Sequence, residues 1–464
     1  MNANLKNDMT TGGILQKLLR VAIPIMGTQV MQMIYNFVDM FWLGRIEDSE
    51  IAGASLAASG AAGMYMWLAV GLMVIGAMGA EIGVSQNLGR GEKSIAKSFS
   101  HNSLMISITL GVLYAVAMIL FRHPLIGYFV IRETTVADDA AKYLAIIGLG
   151  LPTTFISSSL NGAFNASGNS RTPFIINIIG VVTNVVLDPI LIFTFNWGIE
   201  GAAIATIVSQ SITTTGLIIA IKKSKHRPFE QYKFLVKPDF SRIKQIFKWS
   251  LPVGIESMLF TVLSMTISRF VAGFGSGALT VSRVGSQIES LSWMIGGGFG
   301  SAITAFVGQN FGAGKWLRIR RGFKISTTVM CTWGVIVTVV MFVFAKNIIG
   351  IFARDAEIIR LGTTYLQIIA FCQLAMCIEG VSASNFKGTG KTMRPSIVSF
   401  TCNVLQVVLA YFLSKTSLEL NGIWIAMCIG TAIRGIWSMT WYVLSARKNP
   451  KEDSVAMGTP AGDN

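Results

Sequence analysis

Two carboxylates in this chain stand where carboxylates are costly. Asp188 lies in the run NVVLDPILIF (residues 184–193) and Asp39 in YNFVDMFWLGR (residues 35–45). Both runs belong to apolar stretches close to the ~20 residues a helix needs to cross a bilayer. A charged side chain near the bilayer centre costs about 2.5–3.5 kcal/mol on insertion scales, so an acid there points to function. Around the two aspartates the spacing collects oxygen. Asn184 is one helical turn from Asp188 on the same face, and Gln32, Tyr35 and Asp39 share a face at spacings of three and four. Thr206 stands near the start of the next apolar run. Two carboxylates, two amides and two hydroxyls suit a hard monovalent cation or a proton. A proton needs only a desolvated carboxylate. Sodium also needs neutral oxygens to replace its hydration shell, which Asn184, Thr206, Gln32 and backbone carbonyls freed by Pro189 supply. The reading leans towards Na+ held by Asp39, Asn184, Asp188 and Thr206, with H+ competing for the same carboxylates. The alternative is an interhelical hydrogen-bond network that only packs the helices, although such networks usually use uncharged side chains.

The elements that must position these residues are membrane helices. Of 464 residues, 52% are hydrophobic and 13% charged, whereas a soluble chain of this size is about one quarter charged. Apolar runs predict an all-α polytopic membrane protein with twelve helices, at about residues 15–43, 51–82, 98–121, 141–164, 173–195, 199–221, 249–273, 279–307, 325–345, 360–386, 395–414 and 422–445. Measured from the outer ends of spans 1, 5 and 6, Asp39, Asp188 and Thr206 all fall within roughly 10 Å of one boundary. The polar start MNANLKNDMTTGG has no small-residue cleavage site ahead of the first apolar run, so it does not read as a removable signal peptide.

The net charge of +15 is placed, not scattered. With twelve spans the termini and even-numbered loops share one side, which collects 27 Lys and Arg against ten in the odd-numbered loops. The positive-inside rule puts both termini in the cytoplasm, and the charge needs no partner beyond anionic membrane lipid; nucleic acid is not expected. GTGKT (residues 388–392) lacks the spacing and the preceding strand of a phosphate loop.

The chain also repeats. VSQNLGRGE (84–92) matches VGQNFGAGK (307–315) at an offset of 223, GNSRTP (168–173) matches GKTMRP (390–395) at 222, and Pro24 answers Pro252 at 228. The expected organisation is therefore a six-helix lobe at 1–221, a cytoplasmic linker at 222–248, a second six-helix lobe at 249–445 and a cytoplasmic tail at 446–464. Because six is even, the repeats are parallel, and two lobes of this kind enclose a cleft that opens alternately to either side. At the matching offsets Asp188 meets Ala410 and Asp39 meets Ile267, so the architecture imposes neither acid.

Pro24, Gln32, Tyr35 and Asp39 in span 1, NVVLDP in span 5, Thr206 in span 6 and the paired glycine loops resemble the multidrug and toxic compound extrusion (MATE) transporters over about residues 15–445. The resemblance implies a V-shaped, two-lobe fold that exports small organic, often cationic, compounds in exchange for Na+ or H+, without any cofactor. It implies a first-lobe cation site at Asp39, Asn184, Asp188 and Thr206, with Gln32 and Tyr35 beside it and Asn161 joining. In the second lobe it points to Glu256 and Glu379, two acids at similar depth; Glu289 in span 8 is a third acid for coupling or substrate. A multi-pass monomer of the bacterial inner membrane is expected. A lipid-linked oligosaccharide flippase of related architecture is the alternative, but it should show a basic cleft, and the ionisable residues assigned to these spans are mostly acidic. An enzyme is not expected: His101, His123 and His226 lie near span ends or in loops, and no HExxH or nucleophile elbow occurs.

Overall fold

A computed structural model describes residues 8–43, 49–127, 134–224, 227–234, 236–352 and 355–447, and all side chains within them except those of residues 36, 39, 40, 43, 49–62, 64, 134–136, 276 and 447. Among these residues only helices and turns occur. The reason is solvation: in hydrocarbon a backbone N–H or C=O has no water to bond, and the helix satisfies both within one segment.

The helices are α1 (Ile14–Leu43), α2 (Ser49–Gly89), α3 (Lys93–Leu120), the short α4 (Arg122–Gly127), α5 (Thr134–Ala166), α6 (Arg171–Pro189) continued by a π-helical turn (Ile190–Thr194), and α7 (Gly198–Lys223). The second half follows with α8 (Phe240–Ala272), α9 (Ser276–Gly312), α10 (Trp316–Val343), the short α11 (Ala345–Phe352), α12 (Ala356–Ala370), α13 (Gln373–Gly388), α14 (Met393–Leu413) and α15 (Glu419–Arg447). Among the described residues ten are long and apolar enough to cross a membrane, and the bent pair α12–α13 makes eleven. The thirty-residue α1, about 45 Å long, completes the twelve.

The tenth span departs from the expected continuous helix: α12 and α13 meet at 43° across Phe371 and Cys372. Neither proline nor glycine marks the break. Partners on both sides satisfy its carbonyls: Thr338 Oγ1 donates to Ala370 O at 2.9 Å, and Ile369 O accepts from Cys372 N at 3.1 Å and from Cys372 Sγ at 3.0 Å.

The repeated loops have a common physical cause. Asn87 Nδ2 donates to Gly83 O at 2.7 Å, and Asn310 Nδ2 to Phe306 O at 2.8 Å. Gly91 and Gly314 then turn into the left-handed region (φ +82° and +68°), so that Glu92 N reaches Asn87 O and Lys315 N reaches Asn310 O. These are glycine-terminated helix ends of one design, which the QN-x-G-x-G spacing encodes. Gly168 and Gly390 (φ +78° and +76°) end α5 and α13 the same way.

The chain divides into two compact units, Met1–Asp8 with Ile23–Gly254, and Met9–Ala22 with Ile255–Asn464. The divisions fall inside α1 and α8, close to Pro24 and Pro252. The first unit's core includes Leu144, Leu151, Phe155, Ile192 and Ile199 in one cluster and Leu160, Phe164, Leu217, Phe229 and Tyr232 in another. The last two come from the segment between α7 and α8, which is folded down rather than loose. Tyr232 Oη lies 2.9 Å from Ser100 Oγ, and Lys97 Nζ donates to Glu230 O at 3.1 Å. In the second unit Val281, Ile349, Tyr365, Leu366 and Trp424 form the largest buried cluster.

Candidate cation and substrate sites

Helices α6 and α7 are antiparallel, and three glycine contacts fix their register. A Cβ at Gly216 would meet Ile176 at 2.8 Å, Gly180 packs on Thr213, and Gly201 packs on the Leu191 carbonyl at 2.8 Å. In this register Asp188 lies level with residue 204 and Asn184 with residue 208, so Thr206 falls between them in depth. Asp188 and Asn184 are both fully buried, with Asn184 Nδ2 donating to Asp188 Oδ1 at 3.1 Å. Asn184 Oδ1 is buried without a hydrogen-bond partner among the described residues, an acceptor left for a cation or a donor. Thr206 is half-buried and gives its proton to Ala202 O at 3.0 Å, which leaves its oxygen lone pairs available. Pro189 has no N–H, so the Val185 carbonyl loses its helical donor, and the backbone winds into the π-turn just beyond.

Helix α1 meets this region at its C-terminal end. Trp42 packs edge-on against Phe193 of the π-turn at 5.9 Å. Tyr35, 5% exposed, lies two turns earlier, and Gln32 is exposed. The side chain of Asp39 lies outside the described residues, although its helix is pinned three residues later by Trp42. Asn161 is placed elsewhere in depth. Contacts of Gly150 with Ile207 and of Ser157 with Thr214 set α5 parallel to α7. Asn161 then lies level with Ile218, about 20 Å along the helices from Asp188, and its Oδ1 is buried without a partner among the described residues. Asn184, Asp188 and Thr206 are thus brought to one level, and Asn161 is not.

The second unit answers with different chemistry. At the repeat position of Asp188, Ala410 is equally buried and packs among Ile423 and Ala426. At that of Asn184, Gln406 spends its Nε2 on Met427 O at 3.0 Å and Thr431 Oγ1 at 3.1 Å. The acids sit on other helices. Glu256 on α8 accepts from Ser396 Oγ at 2.8 Å, with Glu379 and Lys387 as its charged neighbours. Glu289 on α9 faces Gln373 and Tyr365, with Arg434 nearby. Arg434 Nη1 in turn donates to Asn403 Oδ1 at 3.1 Å. Gln373, Tyr365, Asn403 and Arg434 were not expected from the sequence; a signal was present in the lone arginine inside span 12, whose charge demands partners. Glu81, near the end of α2, is only 7% exposed.

Two units, each built of membrane-length helices, with a buried carboxylate in the first and partly buried acids on other helices in the second, are the makings of a membrane transporter. A sequence profile of the MatE family matches residues 24–190 and 252–412, one stretch in each half. The chain belongs to the MatE family, a family of transporters and not of enzymes. It is 28% identical over 444 residues to the probable multidrug resistance protein NorM of Thermotoga maritima, covering 93% of this chain and 92% of that one. It is 23% identical over 429 residues to the multidrug export protein MepA of Staphylococcus aureus, covering 92% and 93%. A crystal structure of a MATE protein in the bent conformation shares the fold at a TM-score of 0.89 and 20% identity, covering 98% of this chain and all of that one.

Proposed function

We propose that the protein is a secondary active antiporter that exports small organic, often cationic, compounds while Na+ or H+ moves inward through the Asp188 site. The observation that carries the proposal is the contrast between Asp188 and Ala410: one buried position of the repeated fold, filled by a carboxyl in one half and by a methyl in the other. The fold is built either way, so the acid serves something else. Asn184, Thr206 and the Val185 carbonyl add the neutral oxygens that favour sodium, and Asp39 would supply the second carboxylate. The names of the relatives support multidrug export as the activity. The second unit's acids, Glu256, Glu379 and Glu289, outnumber the cations beside them, Lys387 and Arg434, and favour a cationic cargo over the anionic headgroup a lipid-linked sugar flippase would bind. Both termini are proposed to be cytoplasmic, from the placement of basic residues.

The test is efflux of a fluorescent cationic dye from proteoliposomes under separately imposed sodium and pH gradients. Asp188→Asn should abolish ion-driven efflux at near-normal membrane abundance. Asn184→Ala and Thr206→Ala should raise the sodium concentration for half-maximal efflux about tenfold, since each removes one ligand of roughly 1.4 kcal/mol. Efflux that follows pH alone and is unchanged in both alanine variants would establish a proton antiporter. Unimpaired ion-driven efflux in Asp188→Asn would remove the site from the mechanism.

A further inference from the structure

The outward faces of α6 and α7 form an apolar groove of about 550 Å³ within the first unit, walled by Ile176 and Ile179 on one side and Ile207, Ile212 and Ile219 on the other. Its floor is low where Gly216 lets Ile176 approach. Ile179, Ile212 and Ile219 are exposed, so nothing in the unit covers the groove. Along α7 the groove runs from Ile207 to Ile219, about 18 Å at the helical rise. That length matches one leaflet of hydrocarbon, about 15 Å deep.

The groove is charged at one end only. In the α6–α7 register Arg171 stands level with Ile221, one turn beyond Ile176, and Lys222 and Lys223 close α7 one turn beyond Ile219. Arg171 and Lys223 are exposed and make no hydrogen bond or ion pair among the described residues. Lys222 lies over the Phe234 ring at 4.7 Å. The last carbonyls of α7 and these cations mark the membrane boundary, with the apolar channel leading inward from it.

We propose that this groove is a binding site for one anionic phospholipid of the inner leaflet, its phosphate held by Arg171 and Lys223 and one acyl chain lying between α6 and α7. The lipid braces the helix that carries Asn184 and Asp188 on the face opposite to the buried pair. Assignment to the inner leaflet rests on the proposed topology; the binding itself does not.

The test is native mass spectrometry of the full chain released from detergent with phosphatidylglycerol or phosphatidylethanolamine of identical chains, and with glycerol 3-phosphate as a headgroup alone. One phosphatidylglycerol per chain should be retained, phosphatidylethanolamine lost, and glycerol 3-phosphate should neither bind nor displace the lipid. Each exposed cation near an anionic headgroup contributes about fivefold, so the double variant Arg171→Gln, Lys223→Gln should lower retention about 25-fold. Thr215→Trp, which fills the groove and leaves both cations, should lower it at least tenfold; Ser211→Trp takes its place if the detergent melting temperature shows that Thr215→Trp fails to fold. Equal retention of the two lipids, displacement by glycerol 3-phosphate, or loss in only one class of variant would overturn the site. Detergent retention is blind to which face is cytoplasmic, so a failure of the topology leaves this result standing and shows instead in cysteine labelling.

Discussion

Asp188 and Ala410 occupy one place in a repeated fold, and each is at ease only in its own half. Asp188 has the Asn184 amide within 3.1 Å, whereas Ala410 is surrounded by Ile423, Ala426 and their apolar neighbours. Ala410→Asp should therefore lower the yield of folded protein in the membrane, because a carboxyl without oxygen partners at that depth costs about 2.5–3.5 kcal/mol. Comparing detergent-solubilised monodisperse fractions of the variant and the parent measures it; equal yields would mean that the second half also tolerates an acid there, and the contrast would lose its force. The first-lobe pair was legible in sequence because a charge inside an apolar run stands out, and the turn spacing from Asn184 puts the two on one face. The polar partners in the second unit were less legible. Gln373, Asn403 and Gln406 are neutral and unremarkable in a list, and only packing shows that Gln373 meets Glu289 and that Gln406 pins Met427.

Span positions were readable, since hydropathy follows directly from the demand that backbone groups be satisfied in hydrocarbon, but polar first turns hid the true starts of α8 and α10, nine residues before residues 249 and 325. The break in the tenth span was not, because AFCQ contains none of the residues that force one; the bend is held by tertiary partners, Thr338 above all. Thr338→Val should leave the Ala370 carbonyl unsatisfied at a cost of about 1–3 kcal/mol, seen as a lower melting temperature in detergent. An unchanged melting temperature would mean that the carbonyl finds another donor. The glycine-ended loops offer a sharper comparison. Gly91→Ala and Gly314→Ala each force a side chain into the left-handed region, at a cost of roughly 1–2 kcal/mol. Both positions are open, with no atom within 4 Å of the added Cβ, so the two losses should be equal and conformational; unequal losses would mean that the two loops do different work.

At the scale of the whole molecule, the asymmetry of 27 basic residues against ten predicts the orientation in the membrane. Lys237 is exposed in the segment between α7 and α8. Lys237→Cys, in a variant lacking the five native cysteines, should resist an impermeant maleimide in intact cells and react after lysis; labelling of intact cells would invert the topology. The repeat was visible as offsets of 222 to 228, but nothing in the spacing marks that Met9–Ala22 groups with Ile255–Asn464. In the polar start, Met9 is 1% exposed and its N–H donates to Gln309 Oε1 at 2.9 Å, while Arg318 and Asn310 both donate to its carbonyl. Lys315 Nζ adds a bond to Thr10 O at 2.9 Å. This strap belongs to the unit made last. Met9 leaves the ribosome 300 residues before Gln309 exists to receive it, an interval of roughly 15–60 s at ordinary synthesis rates. During that time the earliest-made segment waits at the membrane surface with its partners unwritten, and the strap can close only once synthesis has passed Arg318.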